Sequence, residues 1–405
     1  MGAKHNLAPF VAGIIEALPA GPCLDLFAGM CSVAGALSLA GRETWCNDVQ
    51  KYAALVSRVL VTSRESAIPA RQLSEALLGG FRRNSAYLKK RFGSRLREES
   101  FALQEDSYLR LKQLGDRWRH AGNDSRIARE VLSKQESARE FPYRLATLIY
   151  SHGYFGLQQA IDLDSIRFAI DNAQQDKQIT ASQAQRCIAA LVQTASKICS
   201  APGHFAQYLS VKNQSTYNYI RRLRRRDVWQ IYISSLETID PYGTREWRVR
   251  NRSFCREAIR LLNDLIRHNR RPRIIYADPP YSEAQYSRYY HVLESLVRYD
   301  YPAVTSKGRY RGGRFATPFS LASRVWRAFA NLTAKSADLG ADLVISYPSN
   351  GLLFQCGGDL ISILSQHYLK VDIFKTSHTH STLGGRHGPM NSDVEELIFV
   401  ARRPV

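Results

Sequence analysis

Apolar residues near both ends of this chain fall in short runs closed by small or polar residues, whereas through the middle they recur at helical spacing. The run 22–27 reads as a short strand, 28–32 as a loop of small residues, and the stretch through Ala36 and Leu39 as a helix. A second strand over 43–48 ends in an acid, Asp48, and the set predicts the β-α-β opening of a doubly wound sheet. From about Tyr52 to Thr244 the alternation stops, and 73–81, 109–118, 138–150, 163–172 and 182–198 carry helix-spaced apolar positions. Strands resume over 248–254, 273–278, 341–347, 368–375 and 394–401, the last two close enough to form a hairpin. The pattern predicts an α/β protein whose sheet carries a C-terminal antiparallel hairpin and is split by a large, mainly helical insert. The sheet-bearing domain is expected over 1–60 and 245–405, and the insert over 61–244.

Composition sharpens this. In 405 residues, 44% hydrophobic and 10% aromatic content supports a sizeable core and excludes global disorder. No run approaches the roughly 18 apolar residues of a membrane span, and the first eighteen residues hold Lys4, His5 and Glu16 rather than a signal core. A soluble cytoplasmic protein without a membrane partner is therefore expected. The seven cysteines form no Cys-x-x-Cys pair and are odd in number, which disfavours a zinc ribbon or disulfide framework and suits a reducing compartment. His378, His380 and His387 read as polar loop residues, and no metal is expected.

The formal charge of +20 is concentrated. Between Ser210 and Arg273 there are sixteen Lys and Arg against six acids, including Arg221, Arg222, Arg224, Arg225 and Arg226 interleaved with Tyr217, Tyr219 and Trp229. Lys307, Arg309, Arg311, Arg314, Arg324 and Arg327 follow with no acid among them, and a third run spans 82–97. One such run is ordinarily a solvated helix face. Three of them around one motif point to a polyanion, and the residues expected to touch it are Arg221, Arg222, Arg224, Arg225, Arg226, Lys307, Arg309 and Arg311.

That motif is Asp278-Pro279-Pro280-Tyr281, at the carboxyl end of an apolar strand. Pro-Pro alone is a common strand stop, but this explains neither the flanking Asp nor the Tyr. The set suits methylation of an exocyclic amine such as adenine N6, whose lone pair is delocalised into the ring. Acceptors for its two N–H groups, Asp278 Oδ and the Pro279 carbonyl, would make the pair available, and the prolines would hold the carbonyls rigidly. Tyr281 offers a face on which an extruded base stacks. The Gly29 loop between strand and helix, with Asp48 ending the second strand to take two ribose hydroxyls, makes a candidate site for S-adenosylmethionine. The turn 346–349 reads equally as a wall of the base pocket or as a plain turn.

With these residues in place the chain resembles the Dam-like class of adenine-N6-specific DNA methyltransferases. Gly2-Ala3-Lys4-His5-Asn6-Leu7 looks like that family's N-terminal cofactor segment, and Asp25-Leu26-Phe27-Ala28-Gly29 like its first nucleotide-binding motif. Asp48 matches its ribose-binding acid, Asp278 to Tyr281 its catalytic motif, and 285–291 the segment that often follows. Arg250-Asn251-Arg252-Ser253-Phe254 is similar to the strand whose aromatic residue packs on the cofactor adenine. The resemblance covers the sheet-bearing ends and is only general in the insert. It implies a Rossmann-like, S-adenosylmethionine-dependent fold and a specific double-stranded DNA sequence as partner, bound through the insert. It also allows a cognate restriction endonuclease. Gly2, Ala3, Lys4, Asp25, Phe27, Ala28, Gly29, Cys31, Ser32, Asp48, Ser253, Phe254 and Asp278 would hold the cofactor. Asp278, Pro279, Pro280 and Tyr281 would carry catalysis.

Two positions depart from the family pattern: Cys31 stands where a second glycine is usual, and Ser253 where an acid commonly precedes the aromatic residue. The expected costs are crowding of the cofactor by the thiol and a lost hydrogen bond, with activity retained. Three alternatives stay open: an RNA adenine-N6 methyltransferase, methylation of cytosine N4, which the family resemblance disfavours with Asp as the first motif residue, and a non-catalytic nucleic-acid-binding homologue closed by Cys31.

Overall fold

The computed structural model describes residues 7–65, 68–104, 108–121, 125–381 and 391–402, with backbone alone at 118–121, 125, 377–381 and 391–394. It divides into two compact units: Met1–Ser66, Pro241–Tyr286 and Phe315–Val405 form one, and Ala67–Asp240 with Ser287–Arg314 the other. The segment Ser287–Arg314 thus goes with the helical unit, although the sequence reading kept it with the sheet.

The strands are β1 (Cys23–Asp25), β2 (Thr44–Asn47), β3 (Arg252–Phe254), β4 (Ile274–Ala277), the short pair β5 (Val304–Thr305) and β6 (Tyr310–Arg311), then β7 (Asp342–Pro348), β8 (Lys370–Ser381) and β9 (Asn391–Arg402). Seven form one sheet in the order β3-β2-β1-β4-β7-β9-β8. The first five run parallel, and β9 pairs antiparallel with both β7 and β8. This is a Rossmann-like methyltransferase fold with a C-terminal antiparallel hairpin. β1, β2, β4 and β7 are buried along their whole length, as parallel strands covered on both faces require. Leu261, Leu262 and Leu265 of the helix Ala258–Arg267, with Phe329 and Leu332 of the helix Val325–Asp338, share one core with the β-strand residues Leu24, Ile275 and Leu343. Val11 and Ile15 of the helix Ala8–Glu16 pack with Leu37, Ile274 and Val344 in another. The chain order reverses between β1 and β4, and at such a switch point the strand ends of an open sheet leave a crevice.

Two sequence expectations change. A strand was expected over 248–254, but Thr244 Oγ1 accepts the Trp247 amide at 3.2 Å and starts a helix, Arg245–Arg250, so the strand is only Arg252–Phe254. The helix expected over 138–150 shrinks to Leu145–Ile149. Pro142 supplies no amide, and the helix start is set from far along the chain by Asp164, whose carboxylate accepts the Ala146 and Thr147 amides at 2.8 Å each.

In the helical unit, the helix Leu157–Gln175 packs against both Ala70–Arg91 and Ala181–Ile198. Into this unit the segment Ser287–Arg314 is tied by polar contacts. Tyr299 donates to Asp164 at 2.7 Å, Tyr301 accepts the Arg144 amide at 2.9 Å, and Arg309 donates to the Ile149 and Ser151 carbonyls at 2.7 Å each. Tyr299, Tyr301, Ser306 and Arg309 all have left-handed backbones, at φ 51°, 45°, 63° and 50°. Each such residue costs about 1 kcal/mol, so these contacts must hold the segment in place. Among the described residues no helix is long and apolar enough to cross a membrane.

Burial pushes the carboxyl of Asp162, on the helix Leu157–Gln175, up to about 6 against a donated bond from Gln158. The folded state therefore holds this proton more tightly than the unfolded state. Its contribution is full below the ordinary carboxylate range and is lost as pH rises through about 6. Asp162→Asn, which cannot ionise, should gain stability over the parent by roughly 1–3 kcal/mol between about pH 4 and about pH 7.5. Denaturant melts of both proteins across that range check the slope; parallel curves would refute it.

Candidate active site

Four parallel strands bring their carboxyl ends side by side. Asp25 is paired with Cys46 on one side and Tyr276 on the other, and Asn47 with Phe254. The residues just beyond, Phe27 to Gly29, Asp48 and Asp278, therefore follow neighbouring strands at one edge of the sheet. Past the last pair the ladder is replaced by specific bonds. The Leu26 amide donates to the Tyr276 carbonyl at 2.9 Å and the Ala28 amide to the Asn47 carbonyl at 2.8 Å. Asp48 Oδ2 accepts the Gly29 amide at 3.2 Å and Oδ1 the Gln50 amide at 2.8 Å, so the carboxylate is fixed in orientation.

Asn47, which the sequence reading did not single out, does comparable work beneath. Its buried amide donates to the Leu26 and Arg256 carbonyls at 3.0 and 3.1 Å and accepts the Arg256 amide at 3.1 Å, joining the tips of three strands. A polar residue closing an apolar strand is the available sequence signal, and it is too common to be read alone.

Gly29 has φ +50°, and among the described residues a Cβ built there would approach nothing nearer than the Phe27 carbonyl oxygen at 4.0 Å, so no described side chain closes over the loop. Cys31 also has a left-handed backbone, φ 62°, and caps the helix Ser32–Leu39 without a side-chain bond. Its side chain is fully buried among Ala28, Ala34, Cys46, Val56 and Trp247. The feared crowding is thus directed into the core under the loop. Ser253 likewise turns inward, its hydroxyl 2.5 Å from that of Ser57 on the helix Lys51–Val61. Phe254 next to it is half-buried, with Trp45 packed edge-on at 6.4 Å. Ser32 opens the helix after the loop. Gly2, Ala3 and Lys4 lie outside the described residues, as does His387; the side chains of His378 and His380 are also not described.

Asp278, Pro279, Pro280 and Tyr281 leave β4 at this edge, with Asp278 and Tyr281 half-buried and Pro279 buried. The Tyr281 carbonyl accepts the Leu352 amide at 2.8 Å, and its ring meets Tyr286 edge-on at 6.4 Å. Gln285 clasps Thr317, accepting its amide at 2.8 Å and donating to its carbonyl at 3.3 Å. Phe319, two residues on, starts an edge-to-face row: Phe27 at 5.5 Å on one side, then Phe329 at 5.3 Å and Tyr347 at 5.0 Å. Such pairs add about 1 kcal/mol each beyond their burial, which makes the floor behind the motif rigid. The turn after β7 is internally committed: Ser346 donates to the buried Glu396 at 2.5 Å, and Tyr347 accepts the Leu353 amide at 3.0 Å. Burial, then the nearby Asp278 and Asp25 charges, push the Tyr276 phenol well up, so it stays neutral.

The basic residues expected to meet a polyanion divide sharply. Arg224 is buried against Glu99 at 3.4 Å. Arg309 is buried on two carbonyls, and Arg311 makes a two-pronged pair with Asp300 at 3.1 and 2.7 Å. None of these three guanidiniums is available to a phosphate. Arg221 is half-committed, donating to the Leu103 carbonyl at 2.7 Å, while Arg222, Arg225, Arg226 and Lys307 are exposed. Tyr217 is a core residue, Trp229 is half-buried and stacked on Phe81 at 4.4 Å, and Tyr219 is exposed. Among the described residues no group of His, Cys, Asp and Glu could hold a metal ion.

Three curated proteins resemble the chain at low identity. It is 23% identical to Type II methyltransferase M.FokI of Planomicrobium okeanokoites over 62% of this chain and 35% of that protein. It is 25% identical to Modification methylase LlaI of Lactococcus lactis subsp. lactis over 44% of this chain and 26% of that protein. With Type II methyltransferase M.CviAII of Paramecium bursaria Chlorella virus 1 the identity is 26%, over 47% and 52% of the two. The matches thus span from about a quarter to about half of these relatives. No family model and no solved structure matches the chain.

The packing at the loop is open to a direct check. Cys23, Cys31, Cys46, Cys187 and Cys199 are buried, Cys255 is partly so, and Cys356 is exposed. Alkylation of the native protein followed by mass spectrometry should modify Cys356 rapidly and Cys255 slowly. The five buried thiols should react only after unfolding. Rapid labelling of Cys31 in the native state would show its thiol facing solvent at the loop.

Proposed function

We propose that this protein methylates the exocyclic N6 of adenine in duplex DNA, taking the methyl group from S-adenosylmethionine. The observation that carries the reading is the departure of Asp278-Pro279-Pro280-Tyr281 from β4 beside the Gly29 loop, on neighbouring parallel strands. The methyltransferases among the relatives support the same chemistry and favour it over a binding-only role.

The residues fit the cofactor. The Gly29 backbone has no described side chain over it and so admits a ligand close by, and Asp48, its carboxylate oriented by two amides, supplies acceptor oxygens of the kind vicinal hydroxyls need. Phe254 offers an aromatic surface. With Cys31 and Ser253 turned inward, neither departure from the family pattern stands against binding. When bound there, S-adenosylmethionine supplies a methyl group on a positively charged sulfur, which keeps the electron pair of the broken bond.

The chain's own part is positional. Asp278 Oδ and the Pro279 carbonyl accept the two amine N–H groups, which frees the nitrogen lone pair to form the new N–C bond. One amine proton is then lost to solvent. Tyr281 stacks on the base, which must leave the duplex to be reached. Alignment of two bound reactants with little protein chemistry is a proximity mechanism.

Transfer of labelled methyl to unmethylated duplex DNA, mapped at single-base resolution, tests this. Modified adenines should cluster in one short motif. Asp278→Ala should lower transfer about a hundredfold or more while DNA retention changes less than about twofold. Asp48→Ala should raise the half-saturating cofactor concentration about tenfold or more. No incorporation, or equal loss of transfer and retention in Asp278→Ala, would reject the assignment.

A further inference from the structure

The helix Gln214–Arg224 is locked on one side and chemically unusual on the other. Its start is closed by a reciprocal cap: Asn213 Oδ1 accepts the Thr216 amide at 3.0 Å and Thr216 Oγ1 accepts the Asn213 amide at 3.1 Å. Tyr217 and Ile220 are fully buried, the Tyr217 hydroxyl donates to the Ala102 carbonyl at 3.1 Å, and Arg224 is pinned by Glu99. What remains outside is Gln214, Ser215, Asn218, Tyr219 and Arg222.

A solvated helix face ordinarily alternates Glu with Lys. This one has no acid; none occurs between Ser210 and Arg226. It presents amides, a hydroxyl and a guanidinium, the groups that make paired bonds to base edges: Asn and Gln to adenine, Arg to guanine, Ser to either. Gln214, Asn218 and Arg222 are four residues apart and so lie nearly in line along about 12 Å of helix, the rise of three to four base pairs. They are also partly preset. Gln214 Nε2 donates to Asn218 Oδ1 at 3.3 Å, and the Arg222 guanidinium lies 5.5 Å above the Tyr219 ring. Exposed Lys212 and Arg225 flank the face at its two ends, where phosphate contacts are needed.

We infer that this helix lies in the major groove of duplex DNA, with Gln214, Asn218 and Arg222 reading base edges and Lys212 and Arg225 gripping the backbone. From the proposed function the inference takes only duplex DNA as the partner. The helix is the sequence-reading element of the helical unit, and its base-facing positions tolerate substitution without loss of fold because they are exposed.

Selection from a random duplex pool tests this without requiring catalysis. The full-length wild type should enrich one short motif. Asn218→Ala and Arg222→Ala should each lose about tenfold or more of the preference at one or two adjacent base pairs. Arg225→Ala should instead weaken all duplexes alike and reduce the slope of log affinity on log salt by about 0.9. Unchanged motifs in Asn218→Ala and Arg222→Ala, or no motif with the wild type, would overturn the inference. Methyl transfer to the selected duplex is scored separately. Relaxed selection without transfer leaves the helix assignment standing and removes the enzymatic reading; transfer to a motif indifferent to both variants does the reverse.

Discussion

A parallel sheet runs out of backbone partners where its strands end, and everything at this edge depends on how Asn47 and Asp48 take over from the ladder. Between them the two side chains satisfy the Leu26 and Arg256 carbonyls and the Gly29, Gln50 and Arg256 amides. Beside the backbone bonds from the Leu26 and Ala28 amides, these side chains are what ties the Gly29 loop to β2 and to the turn after β3. An adjacent pair of polar residues thus converts a frayed boundary into a fixed rim, and the aromatic row from Phe27 to Tyr347 stiffens it from behind.

The helical unit solves a different problem. It buries an unusual quantity of polar and charged groups, among them Glu99, Asp164, Arg167, Arg224 and Arg309. Glu99 accepts the Leu157 and Gln158 amides as well as Arg224, and Asp164 takes two amides and two hydroxyls. Buried charge is tolerated when each lone pair is used, and it then fixes geometry more strictly than apolar contact would. Burial raises the Asp164 carboxyl to about 6 despite those donors, so desolvation outweighs the network.

What was legible in the sequence was local chemistry. The small-residue loop at Gly29, the acid closing β2 and the proline pair closing β4 each signal a strand end by themselves, so the sheet and its hairpin could be laid out from pattern. What was illegible depended on partners distant in sequence. Nothing near Arg224, Arg309 or Arg311 marks them as internal; Glu99, the Ile149 carbonyl and the fold of Asp300 onto Arg311 decide it. A run of cations reads as one surface until the helix period separates Arg222 and Arg225 from Arg224. The early end of the 138–150 helix was hidden for the same reason, because Asp164 sets its start.

The helical unit is discontinuous: Ala67–Asp240 is completed by Ser287–Arg314, which follows the Asp278–Tyr281 motif almost at once. Modular exchange is therefore constrained. A cassette spanning only 67–240, transplanted from another protein, would leave Tyr299, Tyr301 and Arg309 in strained backbone conformations with their hydrogen-bond partners gone. Shuffling of this kind has to move two segments together, and coordinated replacement is rarer than single insertion. The architecture couples the helical unit to the peptide next to the motif through inheritance as well as through connectivity, so that neither diverges freely of the other.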